Sequence, residues 1–451
     1  MLAVLRDTTY RRLFTAQVVA LVGTGLATVA LGLLAYDLAG ADAGQVLGTA
    51  LAIKMVAYVA IAPAVGAIAG RLPRRTLMVG ADLTRAGVAV MLPFVDQVWQ
   101  VYVLIFLLQS ASAVFTPTFQ AVVPDVLPAE RDYTRALSLS RLAYDLESLF
   151  SPALAAALLS LVTYDWLFLG TVAGFLASAA LVVAAVLPKP ATAAGPGSGS
   201  VRARATAGSR LFFRVPRLRA LLALDLAVAA AGATVTVNSV VYVRDLLGRG
   251  ATDLSLALGA YGGGSMAAAL VLPRLLDRVR DRTVMLCGAL VLTPVFAGLG
   301  ALTSATSGDW RWPALLLAWA AFGAACSAVL TPAGRLVRSA VPAGGRTSAY
   351  AAQFSLSHAC WLLTYPLAGW LGAAAGLRTA VVVLGLVALA AGLLAVRLWP
   401  SPERERDRAA PVEHEHADLY EGHPHLADAV RVPGGWRHSH RHPADGLHAH
   451  C

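Results

Sequence analysis

The stretch Gly66-Ala67-Ile68-Ala69-Gly70-Arg71-Leu72-Pro73-Arg74-Arg75 connects two long apolar runs of the sequence. A second stretch with the same charge pattern, Asp277-Arg278-Val279-Arg280-Asp281-Arg282, also lies between apolar runs. In each stretch two arginines stand four positions apart, and the two stretches are offset by 207 positions from Arg71 to Arg278. A basic connection that recurs in this way predicts a chain built of two related halves.

The composition excludes a soluble enzyme. Of 451 residues, 57 % are hydrophobic and 14 % are charged, whereas soluble domains carry about 25 % charged residues. About twenty apolar residues are needed to cross a bilayer, and the sequence offers twelve such runs, which predicts an all-α membrane protein of twelve transmembrane helices. These predicted spans 1 to 12 are 12–35, 44–69, 76–95, 98–123, 133–162, 166–187, 219–243, 252–272, 283–304, 312–336, 348–371 and 377–398.

The net charge of +10 indicates topology rather than nucleic-acid binding. Before the C-terminal tail, the odd-numbered connections between spans carry only the basic residues Arg244, Arg249, Arg311 and Arg378. Most other basic residues lie in the N-terminus and the even-numbered connections, and positive residues stay on the cytoplasmic side. Both termini are therefore predicted to be cytoplasmic, in the cell membrane. The predicted partners are membrane lipid, protons and a small-molecule or metal-ion substrate, with no nucleic acid.

A polar interruption divides the spans into two groups of six. Residues 188–216 are rich in Pro, Gly, Ser and Ala, a composition typical of a flexible linker. The predicted organisation is an N-terminal six-helix bundle at 1–187, a cytoplasmic linker at 188–216, a C-terminal six-helix bundle at 217–398 and a His-rich disordered cytoplasmic tail at 399–451.

The two halves share sequence as well as helix number. Thr116-Pro117 recurs as Thr331-Pro332, and Ser138-Leu139-Ser140-Arg141 recurs as Ser355-Leu356-Ser357-His358. Together with the basic connections, these matches resemble the major facilitator superfamily of transporters, whose loop between helices 2 and 3 is similar to G-x-x-x-D-R-x-x-R-R. Gly70 stands where the family has its aspartate, and the second copy keeps that acid as Asp277. The resemblance implies two parallel six-helix repeats with substrate bound between them.

The resemblance also implies a gate and a direction. It assigns gating to the two basic connections, and the glycines of the first connection allow close helix contact. Ser151-Pro152-Ala153-Leu154-Ala155 in span 5 is similar to the G-P-x-x-G signature of the family's exporters, which favours export. The implied gating residues are Gly66, Gly70, Arg71, Arg75, Asp277, Arg278 and Arg282.

Ionisable residues inside the spans are candidates for proton coupling. They are costly in a membrane and therefore indicate function, and the sequence has no P-loop that would bind ATP. Arg141 and Asp145 are four positions apart and can pair on one helix face, whereas Glu147 lies about 200° around the helix from Asp145. Each acid is either a proton carrier or a structural partner of a basic residue. Lys54 either functions in transport, or it snorkels towards the outer face or pairs with a carboxylate. The candidates are Lys54, Asp145, Glu147, Asp225 and His358.

Nine of the ten histidines lie in the tail, mostly as His-x-His pairs. Neutral imidazole is the commonest transition-metal ligand, and this tail resembles the His-rich C-termini of facilitator-type nickel-resistance exporters. The sequence predicts no resident cofactor, although Ni, Co or Zn can bind the tail, and a solvated tail without metal is the alternative. Three functions stay open: export of a divalent metal ion such as nickel or cobalt, export of an amphipathic organic compound such as a drug or siderophore, and metal sensing without transport. The candidate metal ligands are His414, His416, His423, His425, His438, His440, His442, His448 and His450.

Overall fold

The computed structural model divides the chain into two compact units, Met1–Leu398 and Trp399–Cys451. It describes residues 2–39, 43–68, 72–188, 206–342, 345–400, 412–416, 430–432 and 435–440. Gly66 and the four histidines at 414, 416, 438 and 440 are described by their backbone alone. The predicted site residues that lie outside the described residues are Gly70, Arg71, His423, His425, His442, His448 and His450.

The first unit is a bundle of long α-helices with one short helix between its halves. A 3₁₀ turn, Leu2–Arg6, precedes the bundle, and a π-helical segment, Val241–Leu246, extends α8. Six long helices before the short α7 and six after it confirm the predicted all-α fold. The helices are α1 Thr8–Ala39, α2 Ala43–Ile68, α3 Arg74–Met91, α4 Val98–Val126, α5 Glu130–Leu159, α6 Tyr164–Ala184, α7 Ala207–Arg214, α8 Pro216–Val240, α9 Ala251–Leu276, α10 Asp281–Ser304, α11 Arg311–Ala340, α12 Arg346–Ala375 and α13 Leu377–Leu398.

Nine of the twelve long helices are long and apolar enough to cross a bilayer over the residues that the structure describes, and α2, α5 and α12 are not among them. Helix α2 falls short by length alone, because its described apolar part is Thr49–Val65. These three helices carry Lys54, Glu147 and His358 respectively. Polar positions in a membrane bundle normally face its interior or a water-filled cavity, so these helices are the first place to look for a site.

The C-terminal part of the predicted linker is helical, which corrects the prediction that residues 188–216 form a flexible segment throughout. Helix α7 is amphipathic, with Phe212 fully buried and Phe213 exposed. A side chain on Gly208 would overlap the carbonyl oxygen of Ser348 in α12, so α7 lies directly against that helix. Burial of its apolar face stabilises this short helix, which would be unstructured on the evidence of the linker composition alone.

A buried ion pair links three helices of the N-terminal half. Asp82 and Arg85 pair on α3, and Ser178 of α6 donates a hydrogen bond of 2.7 Å to Asp82. The Arg85 guanidinium lies 4.5 Å from the ring centroids of both Phe115 and Phe175. Guanidinium stacks well on aromatic faces, so this charge is accommodated inside the helix bundle and contributes to packing of α3, α4 and α6.

Helices α9 and α11 approach so closely that glycine is required at their contact. A side chain on Gly264 would overlap the carbonyl oxygen of Ala320. We expect Gly264→Ala to destabilise the bundle by about 1–3 kcal/mol because the helices must separate. The matched control is Gly259→Ala in the same helix, where no atom lies within 4 Å of the added carbon. Thermal unfolding in detergent should show a lower midpoint for Gly264→Ala only, and equal midpoints would contradict the close approach.

The second unit contains a small antiparallel sheet. Its strands are β1 Val412–His416, β2 Val430–Val432 and β3 Gly435–His440, in the order β1-β3-β2. These strands differ from the prediction of a tail without regular structure. Side chains alternate between the two faces of a strand, and the Val and Trp residues of these segments favour strands. The high polarity of the tail concealed this two-residue period in the sequence.

Candidate functional site

Four helix connections meet at one end of the bundle, which we call the basic end: α2–α3, α4–α5, α9–α10 and α11–α12. Asp277 in the α9–α10 connection forms an ion pair with Arg131 of α5, with 3.2 Å between Arg131 Nε and Asp277 Oδ2. The predicted gating residue Asp277 therefore joins the two halves. Because Arg131 is 68 % exposed, this single pair contributes little stability.

Arg335 of α11 is the most connected side chain of the basic end. Its Nη1 donates a hydrogen bond of 2.7 Å to Thr134 Oγ1, and its Nη2 contacts the Glu130 carboxylate, both on α5. Its Nε donates a 3.2 Å hydrogen bond to Asp281 at the start of α10. The Arg335 side chain is only 12 % exposed. One guanidinium thus fastens α11 of the second half to α5 of the first half.

Asp125 provides a second connection between the halves. Its carboxylate accepts one contact from Arg74 at the start of α3 and another, of 2.9 Å, from Arg346 at the start of α12. All three side chains are less than one-fifth exposed. A carboxylate shared by two arginines holds the starts of α3 and α12 together at the end of α4.

Two tyrosines meet between the halves near the basic end. The hydroxyl oxygens of Tyr133 in α5 and Tyr350 in α12 are 2.7 Å apart, and both residues are buried. Tyr350 donates its hydrogen to the carbonyl oxygen of Gly334 at 2.9 Å. Since a hydroxyl has one hydrogen to donate, Tyr133 must be the donor in the tyrosine pair.

The other predicted gating residues make fewer contacts. Arg75 donates a hydrogen bond of 2.5 Å to the carbonyl oxygen of Ala185 beyond the end of α6, within the same half. The Arg278 and Arg282 side chains form no hydrogen bond or ion pair with any residue that the structure describes. Arg335 and Arg346 of the second half contact the first half although neither was among the implied gating residues, and Arg74 contacts Asp125 within its own half.

Halfway along the bundle, a polar network joins α5 to α9. Arg141 and Asp145 form an ion pair of 2.9 Å, as their four-residue spacing predicts. Ser265 of α9 donates a 2.7 Å hydrogen bond to Asp145 and accepts hydrogen bonds of 3.0 and 2.9 Å from Arg141. Asp145 is 5 % exposed and is fully engaged by these partners.

A cluster of rings lies where α2 meets α12. The centroid of the Tyr58 ring is 4.8 Å from that of Phe354 and 4.7 Å from that of His358, and Phe354 and His358 are 4.2 Å apart. Lys54 places its Nζ 5.7 Å from the Tyr58 ring centroid. Tyr58 also donates a 2.9 Å hydrogen bond to Gln109 of α4. Aromatic faces from both halves and one cation therefore converge here.

The tautomer of His358 follows from its hydrogen bond. Its Nδ1 lies 2.7 Å from the carbonyl oxygen of Phe354, one helical turn earlier. A carbonyl oxygen only accepts, so Nδ1 carries a hydrogen, and in the neutral ring Nε2 therefore keeps its lone pair. A neutral imidazole in this position can accept a hydrogen bond from a bound molecule.

Glu147 is the acid of α5 that is not engaged by Arg141. One of its carboxylate oxygens lies 3.1 Å from the position of a carbon added to Gly25 of α1, and the carboxylate interacts electrostatically with Lys54 of α2. It forms no hydrogen bond or ion pair within 4.0 Å among the described residues. We call Lys54, Tyr58, Glu147, Phe354 and His358 the mid-bundle cluster.

Asp225 lies apart from these contacts, between α8 and α12. It is 2 % exposed and accepts one hydrogen bond of 2.9 Å from Gln353. Its other oxygen, Oδ1, is buried without a hydrogen-bond donor among the described residues. A buried carboxylate with one neutral partner is unfavourable as an anion, which favours its protonated form. Asp225 therefore stays a second candidate for the proton carrier.

Sequence reasoning missed several of these residues although signals for them exist. Tyr58 follows Lys54 by four positions and Phe354 precedes His358 by four, a spacing that places each pair on one helix face. Tyr133 and Tyr350 are offset by 217 positions, the same offset as Ser138 and Ser355. Among the side chains that the structure describes, no group of three His, Cys, Asp or Glu residues could hold a metal ion.

Comparisons with known proteins agree on one family. The sequence profile of the Major Facilitator Superfamily matches residues 13–248 and 226–444. Macrolide efflux protein A of Streptococcus pyogenes is 26 % identical over 182 residues, which cover 39 % of this chain and 44 % of that protein. The protein of the same name from Enterococcus faecalis is 28 % identical over 153 residues, 32 % of this chain and 47 % of that protein. The chain thus spans less than half the length of these curated relatives.

Structural similarity extends much further along the chain. The crystal structure of the human organic anion transporter MFSD10 superposes with a TM-score of 0.72 and 14 % sequence identity. The alignment covers 86 % of this chain and 98 % of that one. At this identity the similarity establishes the shared fold.

Proposed function

Since the chain belongs to the Major Facilitator Superfamily, we propose that it is a proton-coupled secondary transporter that exports an amphipathic organic compound. The members of this family are membrane transporters and are not enzymes, so the chain is a membrane protein without an enzymatic activity. The observation that carries the proposal is the mid-bundle cluster, which brings aromatic rings of both halves together with Lys54 and with Glu147, a carboxylate that has no hydrogen-bond or ion-pair partner among the described residues. Substrate in this fold binds between the repeats near the middle of the membrane.

The chemistry of the mid-bundle cluster favours an organic substrate. The rings of Tyr58, Phe354 and His358 offer apolar faces, and the Nε2 lone pair of His358 offers a hydrogen-bond acceptor. Ligand sites commonly combine apolar and aromatic walls with a few placed polar groups. The macrolide efflux relatives support both the substrate class and the direction of transport, although they match only part of the chain.

Glu147 is the best candidate for the proton carrier. Asp145 is already neutralised by Arg141 and held by Ser265. Among the described residues Glu147 forms no hydrogen bond or ion pair and interacts with Lys54 only at longer range, and a charge inside a membrane is costly unless it is paired or neutralised. Binding of a proton to Glu147 removes one charge and weakens its attraction to Lys54, which gives a physical means of coupling protonation to substrate binding.

The contacts at the basic end supply the switching element. Arg335, Asp125 and the tyrosine pair hold the halves together there, so opening towards this side requires their separation. The excess of basic residues at this end supports its assignment to the cytoplasmic side of the cell membrane. Under this assignment the structure is closed towards the cytoplasm, as expected for one state of alternating access.

Export of a divalent metal ion is the second candidate function, and the nine histidines of the tail favour it. The mid-bundle cluster offers a single imidazole for a metal, whereas transition-metal sites in proteins usually have at least three protein ligands. Metal export would therefore depend on ligands beyond the described side chains. A non-transporting sensor is the remaining alternative.

Transport in everted membrane vesicles tests the proposal. We expect an imposed pH gradient, acid inside, to drive accumulation of a radiolabelled macrolide, and collapse of the gradient to release it. Removal of residues 401–451 should leave this accumulation unchanged because all five residues of the mid-bundle cluster lie before residue 399. A resistance profile of a sensitive host with macrolides, nickel, cobalt and zinc provides the second measurement. Resistance confined to metals and lost on tail removal would favour the metal exporter, and no movement of any compound would favour the sensor.

A further inference from the structure

The strand register of the second unit brings separated histidines together. In the antiparallel pair of β1 and β3, His414 lies opposite His438, Val412 opposite His440, and His416 opposite Trp436. Opposite residues of a ladder share a face, and so do alternate residues along each strand. His414, His416, His438 and His440 therefore lie on one face of the ribbon.

The spacing on this face suits a single metal ion. Directly opposite residues have Cβ atoms about 4.5–5.5 Å apart, and alternate residues along a strand are about 6.6 Å apart. Imidazole nitrogens bind transition metals at about 2.0–2.1 Å, and the spacing of these backbone positions matches that of residues that share one ion. We propose that this face is a binding site for an imidazole-preferring divalent metal ion, with His414 and His438 as its central pair and His416 and His440 on either side.

The register of β1 and β3 separates the histidines from the acidic residues of β1. Glu413 and Glu415 lie opposite Ser439 and Arg437, on the other face of the ribbon. The third strand pairs with β3 only from Gly435 to Arg437 and leaves the segment from His438 to His440 without a second neighbouring strand. Within the described strands the four histidines thus share their face with Arg431 and with no acidic residue, and a transition metal rather than calcium or magnesium suits their nitrogen ligands.

This site is independent of the proposed transport function. It involves none of the mid-bundle residues, so its presence does not depend on whether the exported compound is organic or a metal. Failure of metal binding would leave the transport proposal intact, and failure of macrolide transport would leave the tail site intact.

The test uses the full-length protein in detergent, purified without a polyhistidine tag and titrated with Zn²⁺ alone. We expect one ion per chain at micromolar concentration, measured by calorimetry. His414→Gln combined with His438→Gln should weaken binding by about 100-fold or more, since tethered ligands reinforce one another to that extent. The matched control, His448→Gln combined with His450→Gln, removes two histidines that belong to none of the three described strands and should leave binding unchanged.

A third variant separates a folded site from a merely His-rich segment. Ser439→Pro keeps every histidine but disrupts strand pairing, because proline has no backbone N–H and a fixed φ. We expect it to lose binding as strongly as the His414 and His438 double variant. Wild-type affinity in Ser439→Pro, an equal loss in the His448 and His450 control, or no Zn²⁺ binding by the wild type would each overturn the proposal.

Discussion

Export driven by a pH gradient should fall by about 10- to 100-fold in the Glu147→Gln variant, in line with ordinary coupling free energies between two ligands of one protein. The substitution keeps the shape of the side chain but removes its ability to bind and release a proton. Substrate binding and gradient-independent exchange across the membrane should persist, because the rings of Tyr58 and Phe354 remain in place. Radiolabelled substrate flux with and without an imposed gradient measures both quantities.

Two further substitutions in the same helix serve as comparisons. Asp132→Asn removes an acid from an ion pair near the start of α5 whose members are 24 % and 41 % exposed, so it should leave transport unchanged. Asp145→Asn leaves Arg141 without its carboxylate inside the bundle, so we expect reduced thermal stability rather than selective loss of coupling. A Glu147→Gln protein that responds fully to the gradient would transfer the carrier role to Asp225 or His358.

Arg335→Gln should open the basic end and lower transport about tenfold or more, since a change of only 1.4 kcal/mol shifts an equilibrium tenfold. The variant loses the charged contacts with Glu130 and Asp281 that fasten α11 to α5 and α10. Spin labels at Ala129 and Ala340, on opposite halves of this end, measure the opening. Their distance distribution should shift to longer values in the variant, without loss of protein from the membrane.

Arg278→Gln is the matched control for this prediction. The sequence assigns gating to Arg278 by its position in the repeated basic connection, yet its side chain has no hydrogen-bond or ion-pair partner among the described residues. We expect little change in label distance or transport. Equal effects of the two substitutions would mean that the repeated basic connection contributes to the gate, as the sequence predicts, and that Arg335 is one of several contributing residues.

The sequence reveals those features that depend on neighbours along the chain. Hydropathy gave twelve helices, and the four-residue spacing of Arg141 and Asp145 gave their ion pair. The contacts of Arg335 and Asp125 join helices that are about two hundred residues apart, and nothing in their local sequence distinguishes them from ordinary charges at helix ends. Arg74 stood inside the motif and still could not be assigned, because its role depends on the position of Asp125. In the tail, composition indicated disorder while the alternation of residues that supports strands went unrecognised.

Tyr133 and Tyr350 show what internal duplication demands of a protein. They occupy equivalent positions in the two repeats, and equivalent groups can touch each other only on the pseudo-twofold axis that relates the repeats. Their contact is thus of the isologous kind found in symmetric homodimers, here within one polypeptide. A bond between two hydroxyls cannot itself be symmetric, since one hydrogen must point one way, and the Gly334 carbonyl fixes that direction. The orientation of a single hydrogen atom therefore makes the two halves inequivalent at this contact.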